Sequence, residues 1–469
     1  MRLAKLAALC AFLCLASEFA SAGGPLAVGG PAVGNRPAFG VDGKAFTWNP
    51  AKMPISYRVD PGPMAVDPSG KTVIDHNGGV QRLQTMFAVW QGVATANISF
   101  TNAGALLPAG SYSGGDLTTA AQFNAVMGSC KTGAQNPIMF DANGTLMASL
   151  GVSPAVIGFT INCSVDATTG YFSGSAILMN GKFLDGVENG SNFELSDNQF
   201  SQAITHEMGH FLGLDHSQIN VDQLTEEISP CDADALAGMP LMFPILTCQA
   251  RQDAGLPVLS TDDVAWISSL YPNSSTAENY GTISGTIFFG EGLSAYQGAN
   301  VIARLVDDSG TSEDESRRIA VSVVSGYLFT GNPGQSVTAS VSAAEDNTGG
   351  SPSGSRNVSL IGYYQIPVPP GTYTVEVESV YYGFVGGSSV GPLDPPAILG
   401  IPEFWNQDES AFDLPLQRDP ITVHAGDNLT GIDIILNDQY PRFDLYEDGG
   451  ALLDAPLGLP PAVPEDVRA

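Results

Sequence analysis

The sequence predicts an α+β domain followed by an all-β sandwich, and three observations carry that prediction. Val80, Leu83, Phe87, Trp90 and Ala94 recur with a 3.6-residue period, the pattern of an amphipathic helix. Phe200, Ala203, Ile204 and Phe211 mark a second helix, whose first turn can be capped by Ser196 or Asp197. Beyond Pro272 short alternating strands, separated by turn residues, take over.

Taken in order, residues 1–22 read as an export signal. Arg2 and Lys5 make a positive start, Leu6 to Leu15 an apolar run, and Ala20-Ser21-Ala22 a small-residue cleavage site before Gly23. No later stretch reaches about 18 uninterrupted apolar residues, so a secreted product without a membrane anchor is expected. Residues 23–44 are rich in Gly and Pro and are expected to be flexible.

The α+β domain is assigned to residues 45–272. Its strands are read at Ile55 to Val59, Ile98 to Phe100, Ala155 to Ile161 and Tyr171 to Asn180, with the first long helix following Gly78-Gly79. Asp141-Ala142-Asn143-Gly144 resembles the start of a Ca²⁺ loop, but Val152 stands where the closing carboxylate belongs, so an Asx-Gly turn is the better reading. Residues 273–281 form a linker. The sandwich, residues 282–440, has strands at Thr282 to Phe289, Ala299 to Val306, Ile319 to Val324, Tyr363 to Val368, Tyr373 to Val380 and Gly431 to Leu436. Residues 307–318 and 331–357 read as mobile insertions. Tyr381-Tyr382-Gly383-Phe384 reads as core or rim, an exposed aromatic surface for a matrix or other ligand being the alternative. Residues 441–469 are an acidic, Pro-rich tail.

Composition limits the partners. Eighteen basic against 48 acidic residues give a net charge of −30, which disfavours nucleic acid and anionic membrane surfaces. Two cysteines lie in the export signal. The remaining four, Cys130, Cys163, Cys231 and Cys248, are an even set for an oxidising compartment. Three pairings are open, and closeness in the chain favours Cys130–Cys163 with Cys231–Cys248; four buried thiols are the alternative.

The chemistry concentrates at residues 206–216, H-E-M-G-H-F-L-G-L-D-H, which hold three of the chain's five histidines. His206 and His210 are four apart, so a helix stacks their imidazoles on one face. Gly213 lets the chain turn out of the helix, and the turn returns His216 as a third nitrogen ligand. Three ligands with an open fourth position suit catalytic Zn²⁺, and Glu207 supplies a carboxylate able to take a proton from water. Asp215 reads as orienting the local backbone rather than binding metal.

The pattern H-E-x-x-H-x-x-G-x-x-H resembles that of the metzincin metallopeptidases, and Ser217 directly after the third histidine resembles the matrixin branch. Pro240-Leu241-Met242-Phe243-Pro244 is similar to the family's Met-turn, with Met242 preferred over Met239, and Leu259 to Tyr271 to its closing helix. Phe87-Ala88-Val89-Trp90 stands where the family has its first long helix. The likeness spans roughly residues 45–272. It implies a zincin-type fold (a mixed twisted sheet plus long helices), catalytic Zn²⁺ on His206, His210 and His216, Glu207 as general base, Met242 beneath the metal, and protein or peptide substrates. It also implies structural Ca²⁺ without placing its ligands, and it offers Tyr171 to Asn180 as the edge strand along which a peptide pairs. Two features depart from the pattern. No cysteine lies between Gly23 and Ser129, so a cysteine-switch latency is absent, and the loop from His216 to Met242 is long and carries Cys231. In the second half, Gly298 to Val301, Tyr364 to Pro367 and Pro370 to Val375 resemble the carboxypeptidase regulatory-like, transthyretin-like fold.

These readings converge on a secreted zinc endopeptidase. Two alternatives stand beside it: a secreted binding protein with an idle peptidase module, against which the intact Glu207 argues, and a zinc hydrolase acting on non-peptide substrates.

Overall fold

The computed structural model describes residues 23–32, 38–188, 194–220, 233–247, 249–308, 313–329, 357–379 and 403–437, with a few isolated positions besides. The export signal, Cys231, Cys248, the aromatic run at 381–384 and most of the tail lie outside them.

The first half is built on β1 (Thr47–Trp48), β2 (Ile55–Val59), α1 (His76–Gln91), β3 (Phe100–Ala105), α2 (Ala120–Lys131), β4 (Pro137–Asp141), β5 (Gly158–Val165), β6 (Tyr171–Asn180), α3 (Asp197–Phe211) and α4 (Thr261–Leu270). One six-stranded sheet runs β1-β6-β4-β2-β3, with β5 paired to the other side of β6. Its neighbours are parallel except for the antiparallel β5–β6 pair. β4 is buried at every residue, as a strand covered on both faces must be. The result is a mixed α+β unit, as the helix and strand periods predict.

Two corrections follow from the sheet. Tyr171 to Asn180 is not an edge strand. The turn at 166–170, closed by Asp166 accepting the amides of Thr168 and Thr169, folds β5 back along it, so the outer strand on that side is Gly158–Val165. Asp141 to Gly144 is a turn, as read: Asn143 Oδ1 accepts the Thr145 amide, Gly144 sits at φ +77°, and the Asp141 carboxylate accepts from Met147 N. Cys130 and Cys163 are bonded, tying the end of α2 to β5.

Residues 23–28, at the start of the segment expected to be flexible, lie packed against the domain. Asp215 N donates to Gly24 O at 3.0 Å, Leu26 N donates to Gly213 O at 2.8 Å, and Val28 is fully buried. Small residues are the reason: a Cβ on Gly23 would lie 2.1 Å from the Ser322 carbonyl oxygen, so only glycine allows this approach. The stretch that reads as loose from its composition is packed because it lacks bulk.

The second half contains β7 (Gly281–Phe288), β8 (Asn300–Leu305), β9 (Ala320–Val324), β10 (Tyr363–Val368), β11 (Gly371–Glu378), β12 (Glu403–Phe404), β13 (Ile421–Val423), β14 (Asn428–Leu429) and β15 (Ile434–Ile435). One sheet runs β9-β8-β11-β12 with β13 also on β11; the other runs β10-β7-β14 with β15 also on β7. Ile283, Val301, Val323, Tyr364, Ile366 and Val375, drawn from both sheets, belong to one buried cluster. Within the expected insertion at 307–318, Glu315–Arg318 form a helical turn capped by Asp314.

The two halves are not joined by a loose linker. Asn273 Nδ2 and the Thr276 hydroxyl donate to the carbonyls of Ala94 and Thr95, and Thr276–Asn279 form a helical turn. α4 packs on β9: Trp266 Nε1 donates to Ser322 O at 2.8 Å, and Ser322 N donates to Asp262. Apolar residues from Phe46 to Leu436 form a single continuous cluster. Each large side chain fully buried there contributes about 2–3 kcal/mol.

Candidate metal centre

α3 is fixed before it presents any functional group. Ser196 accepts the Gln199 amide at 3.1 Å and Gln199 Oε1 accepts the Ser196 amide at 3.1 Å, a reciprocal cap at its N-terminus. Carbonyls along its second half, among them those of the last turn that an isolated helix leaves to water, are taken by side chains from four other elements or their flanks. Trp90 Nε1 donates to Thr205 O, Thr160 Oγ1 to Glu207 O, Asn162 Nδ2 to His210 O, Trp48 Nε1 to Phe211 O and the Tyr271 hydroxyl to Leu212 O. Such anchoring from several directions holds the helix in one rotation and one depth.

His206 and His210 lie one turn apart on the partly exposed face of α3, between buried neighbours. Gly213 then takes φ +90°, and a Cβ there would stand 2.8 Å from the Phe172 ring, so the turn expected from sequence depends on glycine for both reasons. His216 returns to the other two. The three Nε2 atoms are 3.1 Å (206 to 210), 3.0 Å (210 to 216) and 3.2 Å (206 to 216) apart. They are the one group of three or more His, Cys, Asp or Glu side chains among the described residues whose ligand atoms all lie within 4.8 Å of one another.

The arrangement fits a metal ion. Nδ1 of His206 lies 2.8 Å from Leu241 O and Nδ1 of His210 lies 2.8 Å from Leu214 O. A carbonyl only accepts, so each Nδ1 carries its proton and each Nε2 presents a lone pair. Burial pushes all three imidazoles below their ordinary range, His210 to about 3, with the neighbouring histidines acting in the same direction on His210 and His216. The Nε2 atoms of His206 and His210 are both acceptors and stand 3.1 Å apart with no donor between them, whereas tetrahedral zinc with Zn–N of about 2.0–2.1 Å spaces its ligands at about 3.3 Å; Nδ1 of His216 is buried without a partner.

Glu207 is 8% exposed, and its Oε2 accepts a hydrogen bond of 2.8 Å from the Thr160 hydroxyl on β5. Burial pushes its carboxyl up to about 7, the Thr160 hydrogen bond opposing. A cation nearby acts in the downward direction. β5 passes so close that a Cβ on Gly158 would stand 3.2 Å from Glu207 Cγ.

Met242 packs against α3. A Cβ on Gly209 would come 2.3 Å from Met242 Sδ, so the thioether sits directly against the turn of α3 between the two histidines. Asp263 of α4 accepts the Leu241 amide at 2.9 Å, the Met242 amide at 3.0 Å and the Ser260 amide at 2.7 Å. Met239 is buried nearby, its carbonyl held by Arg251. Asp215 accepts the His216 amide at 2.8 Å, which is the backbone role expected for it.

Sequence reasoning missed Thr160 and Asp263 as supports of the site. Asp263 had a signal, the Ser260-x-x-Asp263 capping box at the start of α4. Thr160 had none, because its contact with Glu207 depends on how β5 folds back. Comparison with protein-family models, with curated proteins and with solved structures finds no match.

Proposed function

We propose that this chain is a secreted zinc-dependent endopeptidase, metzincin-like and of matrixin type, that hydrolyses peptide bonds in extracellular proteins. The observation that carries the reading is the convergence of three imidazole Nε2 atoms within 3.2 Å of one another, with Glu207 next in sequence to the first ligand. His206, His210 and His216 would hold Zn²⁺, which when bound polarises a carbonyl and acidifies water.

The protein's own groups account for the rest. Glu207 takes a proton from the attacking water and later hands it to the leaving amine. Thr160, donating to Oε2, holds that carboxylate in one rotamer. The outer edge of β5 offers unpaired backbone groups to an extended peptide, adjacent to Glu207. Met242 and Asp263 fix the loop whose carbonyl orients His206. The zincin-type fold and a transthyretin-like sandwich belong to the same reading; the mixed sheet with long helices and the paired sheets of the second half are in keeping with both. Export rests on the pattern of residues 1–22. Among the described residues no helix is long and apolar enough to cross a membrane.

The test is cleavage of casein or gelatin by the purified chain, with and without chelator, beside Glu207→Ala. Chelator-sensitive cleavage lost in the variant, with zinc retained by both proteins, supports the reading. Equal inactivity of wild type and variant, both carrying stoichiometric zinc, would make the chain a binding protein instead. Metal-dependent turnover of small esters without peptide cleavage would make it a non-peptide hydrolase.

A further inference from the structure

A second group of oxygen ligands stands far along the chain from the histidines, where β12 and the segment after β15 meet. Glu403 and Asp413 are 3% and 4% exposed, and their carboxyl groups lie close together. Glu409 and Asp433 add two more carboxylates close by. Among the described residues no basic side chain pairs with any of the four, and Arg418 is stacked 5.1 Å over the Phe404 ring.

The hydrogen bonds leave a specific deficit. Asp413 Oδ2 accepts from Asn406 Nδ2 and from Ser410 N, and the Glu403 oxygens accept from Phe404 N and Asn437 Nδ2. Asn437 Nδ2 also donates to Asp413 O at 2.9 Å. Two oxygens remain, Asp413 Oδ1 and Asn437 Oδ1, both buried and neither with a donor. Each is an acceptor, and Asp413 is a carboxylate withdrawn from water. A buried carboxylate oxygen left without a donor is unfavourable, so such an atom calls for a cation or a proton. Every donor atom at hand is oxygen, and neither His nor Cys takes part. A cleft of about 630 Å³, lined by Trp405, Asn406, Glu409 and Asp433, lies beside the group.

We propose that Glu403, Asp413 and Asn437 form a Ca²⁺ site. Hard carboxylate and amide oxygens in an irregular cage, completed by water from the cleft, suit Ca²⁺, which takes 6–8 oxygens, better than Mg²⁺, which demands a strict octahedron. The ion acts as a staple between sheets. Glu403 pairs with Val377 in the sheet containing β8 and β11, whereas Asn437 directly follows the segment Ile434–Leu436 held on β7 of the other sheet. Neither activity nor zinc enters this argument.

The experiment uses the full zinc-loaded chain and three proteins: wild type, Glu403→Gln and Asp413→Asn, both isosteric. Millimolar Ca²⁺ is expected to raise the wild-type melting temperature by about 2–4 °C. Each variant should lose most of that rise, with Ca²⁺ affinity reduced at least tenfold by calorimetry. Because a Ca²⁺ site elsewhere in the chain would respond equally in all three, the difference between wild type and variants is the readout. Terbium luminescence, excited through tryptophan and displaced by Ca²⁺ but not by equal Mg²⁺, supplies a second measurement on wild type, and Trp405→Phe should abolish it. Identical Ca²⁺ responses in all three proteins overturn the proposal. So does a wild type blind to Ca²⁺ and terbium while Glu403→Gln is stabilised at neutral pH, which would mean the two carboxyls share a proton.

Discussion

The Thr160 hydroxyl on β5 lies 2.8 Å from both Glu207 Oε2 and the Glu207 carbonyl oxygen, so its single proton is shared between the carboxylate and the backbone of α3. A hydrogen bond to a charged group contributes about 1.5–3 kcal/mol, and about 1.4 kcal/mol is a factor of ten. Thr160→Val is therefore expected to lower kcat about 10- to 100-fold with zinc content unchanged, and Thr160→Ser to keep most of it. Equal kcat for Thr160→Val and wild type would remove the residue from any positioning role.

Gly209 and Met242 are coupled by shape. Because a Cβ on Gly209 would stand 2.3 Å from Met242 Sδ, Gly209→Ala is expected to destabilise the protein by about 1–3 kcal/mol. Met242→Ala opens a void of its own. In the double variant the two costs should fall short of their sum, since each change relieves the other. Urea unfolding of the four proteins measures that coupling, and strict additivity would contradict the contact.

Much of this site is legible in the sequence, because metal chelation by a helix and a turn is a local matter. The spacing of His206, His210, Gly213 and His216 specifies its own geometry within eleven residues. Met242 is readable from its Leu-Met-Phe-Pro setting. The supports are not local. Thr160 is placed by a strand reversal, and the carbonyls that fix the histidine tautomers belong to Leu214 and Leu241, whose side chains say nothing about their backbone. The same limit explains the packed segment at 23–32. Gly and Pro signal turns to a sequence reader, yet their small size also permits backbone to lie against backbone. Periodicity likewise finds the strands of the second half but not the α4–β9 contact that fuses both halves into one core.

Asp263 extends the site's support to a third layer: its carboxylate fixes the Leu241 and Met242 amides, and the Leu241 carbonyl fixes His206. Asp263→Ala leaves three buried amides without an acceptor, at about 1–3 kcal/mol each. A loss of stability of about 3 kcal/mol or more is expected, with zinc affinity about 10- to 100-fold weaker in the protein that still folds. Zinc competition against a chromophoric chelator reads the second effect separately from the first.

The Cys130–Cys163 bond closes a loop of 33 residues and anchors β5, the strand that carries Thr160. Constraining the unfolded chain over that length contributes about 3–4 kcal/mol. The double change Cys130→Ser, Cys163→Ser should lower the urea midpoint accordingly and speed amide exchange in β5 more than in β4. Reductant should reproduce the effect in wild type and add nothing in the variant.

Asp60 provides a pH dependence free of the metal site. It is fully buried at the end of β2, and burial pushes its carboxyl up to about 7, with Asp116 adding to the rise and the Gly62 and Phe140 amides opposing it. The folded pKa thus lies above the unfolded value of about 3.8. Between about pH 4 and pH 7 the folded state keeps a proton that the unfolded state releases, so this group's contribution to stability is greatest below pH 4 and is lost as pH rises through 7. Asp60→Asn cannot ionise. It pays a fixed cost for presenting an NH₂ group where Phe140 N donates, but that cost is the same at every pH. Relative to wild type, the variant should therefore gain stability steadily from pH 4 to pH 7, by about 2–4 kcal/mol in all, and no further above pH 8. Parallel stability profiles for the two proteins across that range would show that Asp60 ionises normally in the fold.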